Sequence, residues 1–230
     1  MAWTPSRDLL SRLLEEHLNG ATPPNPVKFY IILTNSSTFG DASTVADIVK
    51  QELVEQYGYT RVQYNPGMGA YDAAQSRYEM PGVTIPLNAT GGAIQYDRAV
   101  LLANAHPTAN KIFTANAATN RLTVTAHGLS NGDAVVPSSD PASTLPTGMS
   151  AIAYYAKAID ANTVELYTES ALTNIVDFSD AGSGTLRLRY AQGFFEFYEV
   201  IGSSTIPDGS TQSLVVYFNV AGSGVDVNAA

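Results

Sequence analysis

Hydrophobic positions near the start of the chain recur at helical spacing. A leucine at every third or fourth position gives an apolar stripe of period 3.6, which predicts a helix over residues 4–19. Thr4 suits its N-cap, Pro5 its first helical position and Gly20 its C-terminal end. The leucines of the stripe are Leu9, Leu10, Leu13, Leu14 and Leu18.

A second helix and several strands follow in the flanking parts of the chain. Residues 44–57 carry apolar side chains at helical spacing, and Gly58 is expected to end that helix. Residues 206–210 contain Pro-Asp-Gly, which predicts a turn. Residues 70–81 are polar and predict a loop. Runs rich in β-branched and aromatic residues predict strands at residues 27–34, 59–64, 82–87, 93–103, 194–201 and 213–220.

The middle of the chain has a different pattern, in which short runs of alternating apolar and polar residues are separated by Gly, Asn, Asp and Pro. This pattern predicts a small β-barrel or sandwich. Its strands are expected at residues 121–125, 151–157, 163–168 and 185–189. Between the first two lies a turn in which Gly128 and Gly132 adopt positive φ and Asp133 bonds its own backbone. The ring of His127, bonded to a nearby carbonyl, would pin this turn.

The position of these short runs predicts the domain organisation. They lie between the strand at residues 93–103 and the strand at residues 194–201, where a short loop would otherwise join the two. The sequence therefore predicts a mainly β protein. A β-sandwich host of residues 1–109 and 190–230, with one or two helices near its N-terminus, carries an inserted small β-barrel at residues 110–189.

The composition of the chain limits the classes of partner that it is expected to bind. The formal net charge is −9, and the 12 Lys and Arg residues are spread singly, so no basic stripe for nucleic acid is expected. No apolar run reaches membrane-spanning length. The chain has no cysteine, which excludes disulfides, thiol nucleophiles and thiolate zinc sites and indicates folding in a reducing cytoplasm. The 13 tyrosines suit surfaces buried against a partner, or they reflect the strand preference of tyrosine.

The sequence contains no motif that indicates catalysis or metal binding. None of His17, His106 and His127 has a second His, Asp or Glu at i+2 or i+4. The run Gly182-Ser183-Gly184 is not a serine-nucleophile motif, and no phosphate-binding loop is present. We therefore expect no catalytic residue, no cofactor and no metal, and we predict that the chain is not an enzyme.

Four short motifs of the middle region together resemble a known module. They are HGL-x-x-GD-x-V from His127, LP-x-G at residues 145–148, YY at residues 154–155 and AGSGTL at residues 181–186. This pattern, over residues 110–189, resembles a small β-barrel module found in tailed-phage virion proteins. That module is similar to the first catalytic cysteine half-domain of ubiquitin-activating enzymes. Because the chain has no cysteine, the resemblance implies a virion context and no ubiquitin chemistry.

The flanking segments carry a resemblance of their own. The N-terminal helix, the strand at residues 27–34, YGYTR at residues 57–61 and IPDGS at residues 206–210 follow one another in a characteristic order. That order is similar to the order in phage tail-associated sandwich proteins attached to tail fibres or baseplates. The resemblance implies synthesis in the host cytoplasm and incorporation into a virion.

Three functions follow as hypotheses. The first is a structural subunit of a tailed-phage virion, a tail or baseplate accessory or fibre adaptor, that contacts other virion subunits and copies of itself. A capsid cement or decoration protein is the alternative within that class. The second is a carbohydrate- or receptor-binding module, in which exposed tyrosines stack on a host-surface glycan. These tyrosines are Tyr71, Tyr78, Tyr154 and Tyr155. The third, a polysaccharide-degrading enzyme, needs paired acids that nothing in the sequence singles out.

Two segments are candidates for assembly contacts. The leucine stripe of Leu9, Leu10, Leu13 and Leu14 either packs on the host sandwich or inserts between subunits. The tail from Ala221 to Ala230 is rich in Gly, Ser, Asn and Ala, which predicts a loose or partner-bound segment.

Overall fold

The computed structural model describes residues 4–5, 28–35, 38–40, 42–65, 70–74 and 77–221. The chain is mainly β, as predicted, with fourteen strands and one helix among these residues. The helix is α1 (Val45–Val49). The strands are β1 (Thr4–Pro5), β2 (Phe29–Thr34), β3 (Val62–Tyr64), β4 (Ala70–Asp72), β5 (Arg77–Asn88), β6 (Ile94–Ala103), β7 (Asn110–Asn116), β8 (Arg121–Thr123), β9 (Ala134–Ser139), β10 (Tyr154–Asp160), β11 (Thr163–Tyr167), β12 (Leu186–Tyr190), β13 (Phe194–Ile206) and β14 (Thr211–Ala221).

The chain divides into two compact units. The host unit comprises Met1–Thr44, Gln51–Pro107 and Gly193–Ala230, and the barrel unit comprises Val45–Lys50 and Thr108–Gln192. The host unit contains a five-stranded sheet in the order β1-β13-β6-β2-β3 and a three-stranded sheet in the order β14-β5-β4. All pairs are antiparallel.

Strand β6 lies at the centre of the larger host sheet, and most of its side chains are buried. Its last five residues, Ala99–Ala103, are apolar and buried, as expected for a strand segment covered on both faces. Ala103 at the end of β6 is the register partner of Phe194 at the start of β13. The two chain ends that leave the host sheet for the barrel are therefore neighbours, which is the geometry of an insertion at a hairpin tip.

Two predictions for the host segment were wrong, and part of a third lies outside the described residues. Thr4 and Pro5 do not begin a helix but form β1 beside Tyr198 and Phe197. The extended backbone that Pro5 favours at Thr4 suits a strand. The rest of the helix predicted over residues 4–19, including Leu9, Leu10, Leu13 and Leu14, lies outside the described residues. Within the predicted loop of residues 70–81, β4 (Ala70–Asp72) and the first part of β5, from Arg77, are strands.

The second predicted helix is also much shorter than the sequence pattern indicated. It ends at Val49 instead of residue 57. Beyond it, Glu52 forms a bridge with Thr34, and the Leu53 amide donates to the Leu33 carbonyl at 3.0 Å. Pairing with β2 therefore replaces the helical hydrogen bonds of residues 52–53, an example of tertiary contacts overriding local propensity.

The barrel unit is a closed six-stranded antiparallel barrel. Its strands follow each other around the barrel in the order β10-β11-β8-β7-β12-β9. Closure leaves no sheet edge in the barrel, and alternate side chains point inward to fill it. Buried side chains of the interior include Leu122, Val135, Tyr154, Leu166 and Tyr190.

Helix α1 belongs to the barrel unit and not, as predicted, to the host sandwich. On β9 the side chain of Val135 joins the barrel core, whereas its neighbour Val136 is fully buried without belonging to that core. Helix α1 packs on β9, and Arg189 donates from Nη1 to the Val49 carbonyl at 2.9 Å. The apolar side of the helix, Val45, Ile48 and Val49, is buried.

Candidate functional site on the barrel

His127 lies at the centre of the turn that the sequence singled out. Its ring is buried, and its Nδ1 accepts a hydrogen bond from the Leu129 amide at 2.9 Å. Because an amide only donates, the ring proton is on Nε2, which donates to the Asp160 carbonyl at 2.6 Å. The carbonyl of His127 accepts from the Tyr190 hydroxyl at 2.7 Å. One residue thus connects the turn to the end of β10 and to β12.

The glycines and the aspartate of the same turn have backbone roles. Gly128 and Gly132 both have positive φ, at 67° and 89°, a conformation that costs other residues about 1–2 kcal/mol. Asp133 accepts from the Ser130 amide through Oδ2 at 2.7 Å. The Gly132 amide donates to the Ala156 carbonyl at 2.8 Å, and the Ala156 amide donates to the Asp133 carbonyl at 2.8 Å. Two backbone hydrogen bonds, one from Gly132 and one to Asp133, therefore join the turn to Ala156 on β10.

The glycines of the other motifs lie where two backbone segments pass close together. A Cβ at Gly148 would overlap the Asp177 carbonyl oxygen, and a Cβ at Gly182 would overlap the Thr144 carbonyl oxygen. Both have positive φ. Gly148 and Gly182 therefore permit close backbone approach, which is a structural requirement of the barrel.

Three carboxylates of the barrel brace loops. Glu169 accepts five hydrogen bonds, from Thr168, Thr173 and Asn174, which lower its pKa to about 2. The Asn162 amide lowers the pKa of Asp160, and Thr147 and the Gly182 amide lower that of Asp180. Each carboxylate stays ionised and acts as an acceptor at neutral pH. A general acid would need a raised pKa instead.

A polar row crosses the outside of the barrel on β8, β11 and β10. Glu165 is the register partner of Arg121 on one side and of Lys157 on the other. Arg121 Nε donates to Glu165 Oε1 at 3.0 Å, and Lys157 Nζ lies 3.8 Å from Oε2. We call Arg121, Glu165 and Lys157 the charged row. It places two cations on one carboxylate, so the row carries a net charge of +1 on an acidic chain.

A second row of apolar side chains lies beside the charged row. Tyr155 is the register partner of Tyr167, and Tyr167 forms a bridge with Ile175. The Tyr167 hydroxyl donates to Glu165 Oε2 at 3.0 Å, so the two rows are connected. Partial burial raises the pKa of Glu165, but the hydrogen bonds from Arg121 and Tyr167 and the charge of Lys157 outweigh it, so that pKa lies below its ordinary value. The face is polar, ordered and ionised.

The host unit contains a buried ionic cluster that was not predicted from the sequence. Arg61 donates from Nε to Glu52 Oε1 at 2.8 Å and from Nη2 to Oε2 at 2.6 Å, with both side chains fully buried. The Tyr59 hydroxyl donates to Glu52 Oε1 at 2.9 Å and accepts from the Leu33 amide at 3.1 Å. Burial, with the Glu52 charge, raises the pKa of Tyr59 well above its ordinary value. Arg61 also donates to the His106 carbonyl at 2.7 Å.

The tyrosines proposed to stack on sugar are not placed in exposed loops as that hypothesis required. Tyr154 is in the barrel core, and its neighbour Tyr155, which is not part of that core, lies on the second row. Tyr71 and Tyr78 lie in β4 and β5, as register partners.

The remaining candidate residues fall at or beyond the edges of the described chain. Ala221 is the last residue of β14, whereas Ala230, His17 and the four candidate leucines lie outside the described residues. In the described part of the chain, no group of three or more His, Cys, Asp or Glu residues is arranged to hold a metal ion. No helix there is long and apolar enough to cross a membrane.

Comparisons of the chain with protein-family models, with curated proteins and with solved structures find no match.

Proposed function

We propose that this chain is a structural subunit of a tailed-phage virion, a tail or baseplate accessory or fibre adaptor that acts through contacts with other subunits. The observation that carries the proposal is the role of the motif residues. His127 ties the turn to two strands, and Gly148 and Gly182 allow close backbone approach. The motifs that resemble the virion module therefore coincide with the residues that shape a closed barrel.

The chemistry of the barrel surface supports an architectural role. Glu169, Asp160 and Asp180 are occupied as acceptors within loops, and their lowered pKa values keep them ionised. Glu165 is held between two cations. Groups that are already bonded to their neighbours stiffen a surface, and a stiff surface loses little conformational entropy when a partner binds.

Localisation in particles tests the proposal. Virions from a phage that encodes this chain would be purified and examined by mass spectrometry and by cryo-electron microscopy, with tail-less capsids from the same phage as the control. We expect the chain in complete particles in a fixed ratio to tail proteins, and none in the tail-less capsids. Density for a six-stranded barrel at the tail or baseplate would identify the position.

Two results would change the proposal. If tail-less capsids contain the chain in the same amount as complete virions, it is a capsid decoration protein. If complete virions and tail-less capsids both lack the chain, the structural proposal fails.

A further inference from the structure

Strand β14 forms one edge of the smaller host sheet, and this edge differs from the others in the host unit. Among the described residues, β14 pairs with β5 alone, in unbroken register from Thr211 to Val216. We call residues 211–216 the open edge. No described strand pairs with its backbone donors and acceptors on the side away from β5, and such an edge can recruit another strand.

The other strands with open edges carry features that discourage such pairing. In the larger sheet, β1 has two residues and ends in Pro5, and β3 has three residues. Strand β13 is long, but its register breaks between Phe195 and Phe197 and again between Val200 and Ser204. Short length, proline and bulges are the ordinary means by which proteins block edge-to-edge association.

The opposite side of the smaller sheet is blocked in the same way. Strand β4 has three residues and ends in Asp72. Where β5 extends beyond β4, it carries Pro81 and Pro86, which have no amide to donate. One side of this sheet is therefore protected, whereas no such feature occurs on the β14 side among the residues that the structure describes.

The strand that contains the open edge is long and carries no charged residue. Strand β14 has 11 residues, none of them charged and none of them proline. Val215 is 42% exposed. Natural proteins usually place a lysine or proline on such a strand, because an uncharged, extended edge associates readily.

We propose that the open edge pairs with the open edge of a second copy of this chain. The two strands would run antiparallel about a two-fold axis and join the two three-stranded sheets into one of six strands. The inference rests on the part of the proposed function that calls for contacts between copies, and it names the surface used.

The sequence of the open edge suits a second copy as the partner, because none of its residues is charged. At a two-fold axis a residue faces its own copy, so any charged side chain there would meet a like charge. The chain has a net charge of −9, so two copies repel each other as a whole. The stretch from Thr211 to Val216 is uncharged and about 20 Å long, so it lets the backbones approach without that cost.

The test compares two lysine substitutions in the full chain by sedimentation. Val215→Lys places a charge on the open edge. Thr84→Lys places the same charge on β5, at the register partner of Val215, on the protected side of the sheet. We expect the unmodified chain and Thr84→Lys to sediment at twice the mass of one chain at tens of micromolar. We expect Val215→Lys to weaken the dimer at least tenfold, with unchanged circular dichroism.

Hydrogen exchange of the backbone amides distinguishes a second copy from other occupants. We expect protection of residues 211–216 to rise with protein concentration in the unmodified chain and to be independent of concentration in Val215→Lys. Protection that is equally strong in dilute monomer would mean that another segment of the same chain covers the edge, and the proposal would be wrong. It would also be wrong if Thr84→Lys dissociates the dimer as strongly as Val215→Lys. If Val215→Lys is unfolded, Ser213→Lys repeats the comparison.

This outcome is separable from that of the proposed function. A monomer that is nevertheless present in virions overturns only the pairing of β14. A dimer that is absent from virions overturns only the virion assignment.

Discussion

Replacing His127 tests whether the barrel depends on the turn that the sequence motif marks. His127→Ala removes the acceptor for the Leu129 amide and the donor to the Asp160 carbonyl. The Leu129 amide is buried, and leaving it unpaired costs about 1–3 kcal/mol. Asp160 is exposed, so water replaces the lost donor and the cost is about 0.5–1.5 kcal/mol. The sum is about 1.5–4.5 kcal/mol.

Two conservative variants separate these contributions. In His127→Asn the amide oxygen lies near the position of Nδ1 and still accepts from Leu129, whereas the bond to Asp160 is lost. In His127→Gln the longer side chain reaches Asp160, and the bond from Leu129 is lost. We therefore expect the free energy of unfolding to decrease in the order His, Asn, Gln, Ala.

Urea unfolding followed by hydrogen exchange measures the effect in the barrel alone. Because the chain has two compact units, a single spectroscopic signal would mix their transitions, whereas peptides from β10 and β11 report on the barrel. With an m-value of about 2 kcal/mol/M, the alanine variant should unfold at a urea concentration lower by about 1–2 M. An alanine variant with the midpoint of the unmodified chain, or an asparagine variant no better than alanine, would refute the reasoning.

Four further predictions concern other parts of the structure. Gly148→Ala should lower the melting temperature more than Gly132→Ala, because both have positive φ but only Gly148 faces a carbonyl oxygen that a Cβ would overlap; equal melting temperatures would contradict this. The pKa of Glu169 is lowered from 4.5 to about 2, so its contribution to stability is complete above pH 4.5 and is lost as the pH falls through 2. Glu169→Gln should accordingly be less stable than the unmodified chain at pH 7 in thermal melts, with a difference that closes toward pH 2; a difference independent of pH would count against the loop-bracing role. Arg61→Ala should cost about 3–5 kcal/mol in urea unfolding because it leaves the buried Glu52 carboxylate without its cation, and the double variant Glu52→Met with Arg61→Met should recover much of that loss. Replacing residues 108–192 by a short Gly-Ser linker should leave the host sheets folded, as judged by amide protection in β2 and β6, since Ala103 and Phe194 are already neighbours; loss of that protection would argue against an independent host.

The strands of the barrel show which features the sequence could reveal. Strands β8, β10, β11 and β12 were predicted within a few residues, because each combines alternating polarity with flanking turn residues. Strands β7 and β9 were not predicted. Strand β9 contains Pro137, which argues against a central strand. Closure of the barrel supplies the partners of β7 and β9, and closure cannot be inferred from local pattern.

The errors in the host segment have a different cause, which is competition between local and distant partners. Residues 52–53 suit a helix locally but bond to β2 instead. The cluster of Glu52, Tyr59 and Arg61 escaped notice because its members are ordinary polar residues in the sequence. Only the pairing of β2 with the segment after α1 brings them together in the interior.

The polar residues that the sequence motifs marked are therefore poor guides to where this protein meets a partner. His127, Asp133 and the motif glycines bond to, or make room for, the backbone of their own barrel. A residue whose hydrogen bonds are already used within the fold contributes to binding only through the shape that it maintains. Under the proposed function, a backbone contact between copies requires a surface whose capacity for hydrogen bonding is not used internally. Strand β14 is such a surface, because half of its backbone groups face away from β5. This is why we place the contact between copies there and not at the conspicuous motif.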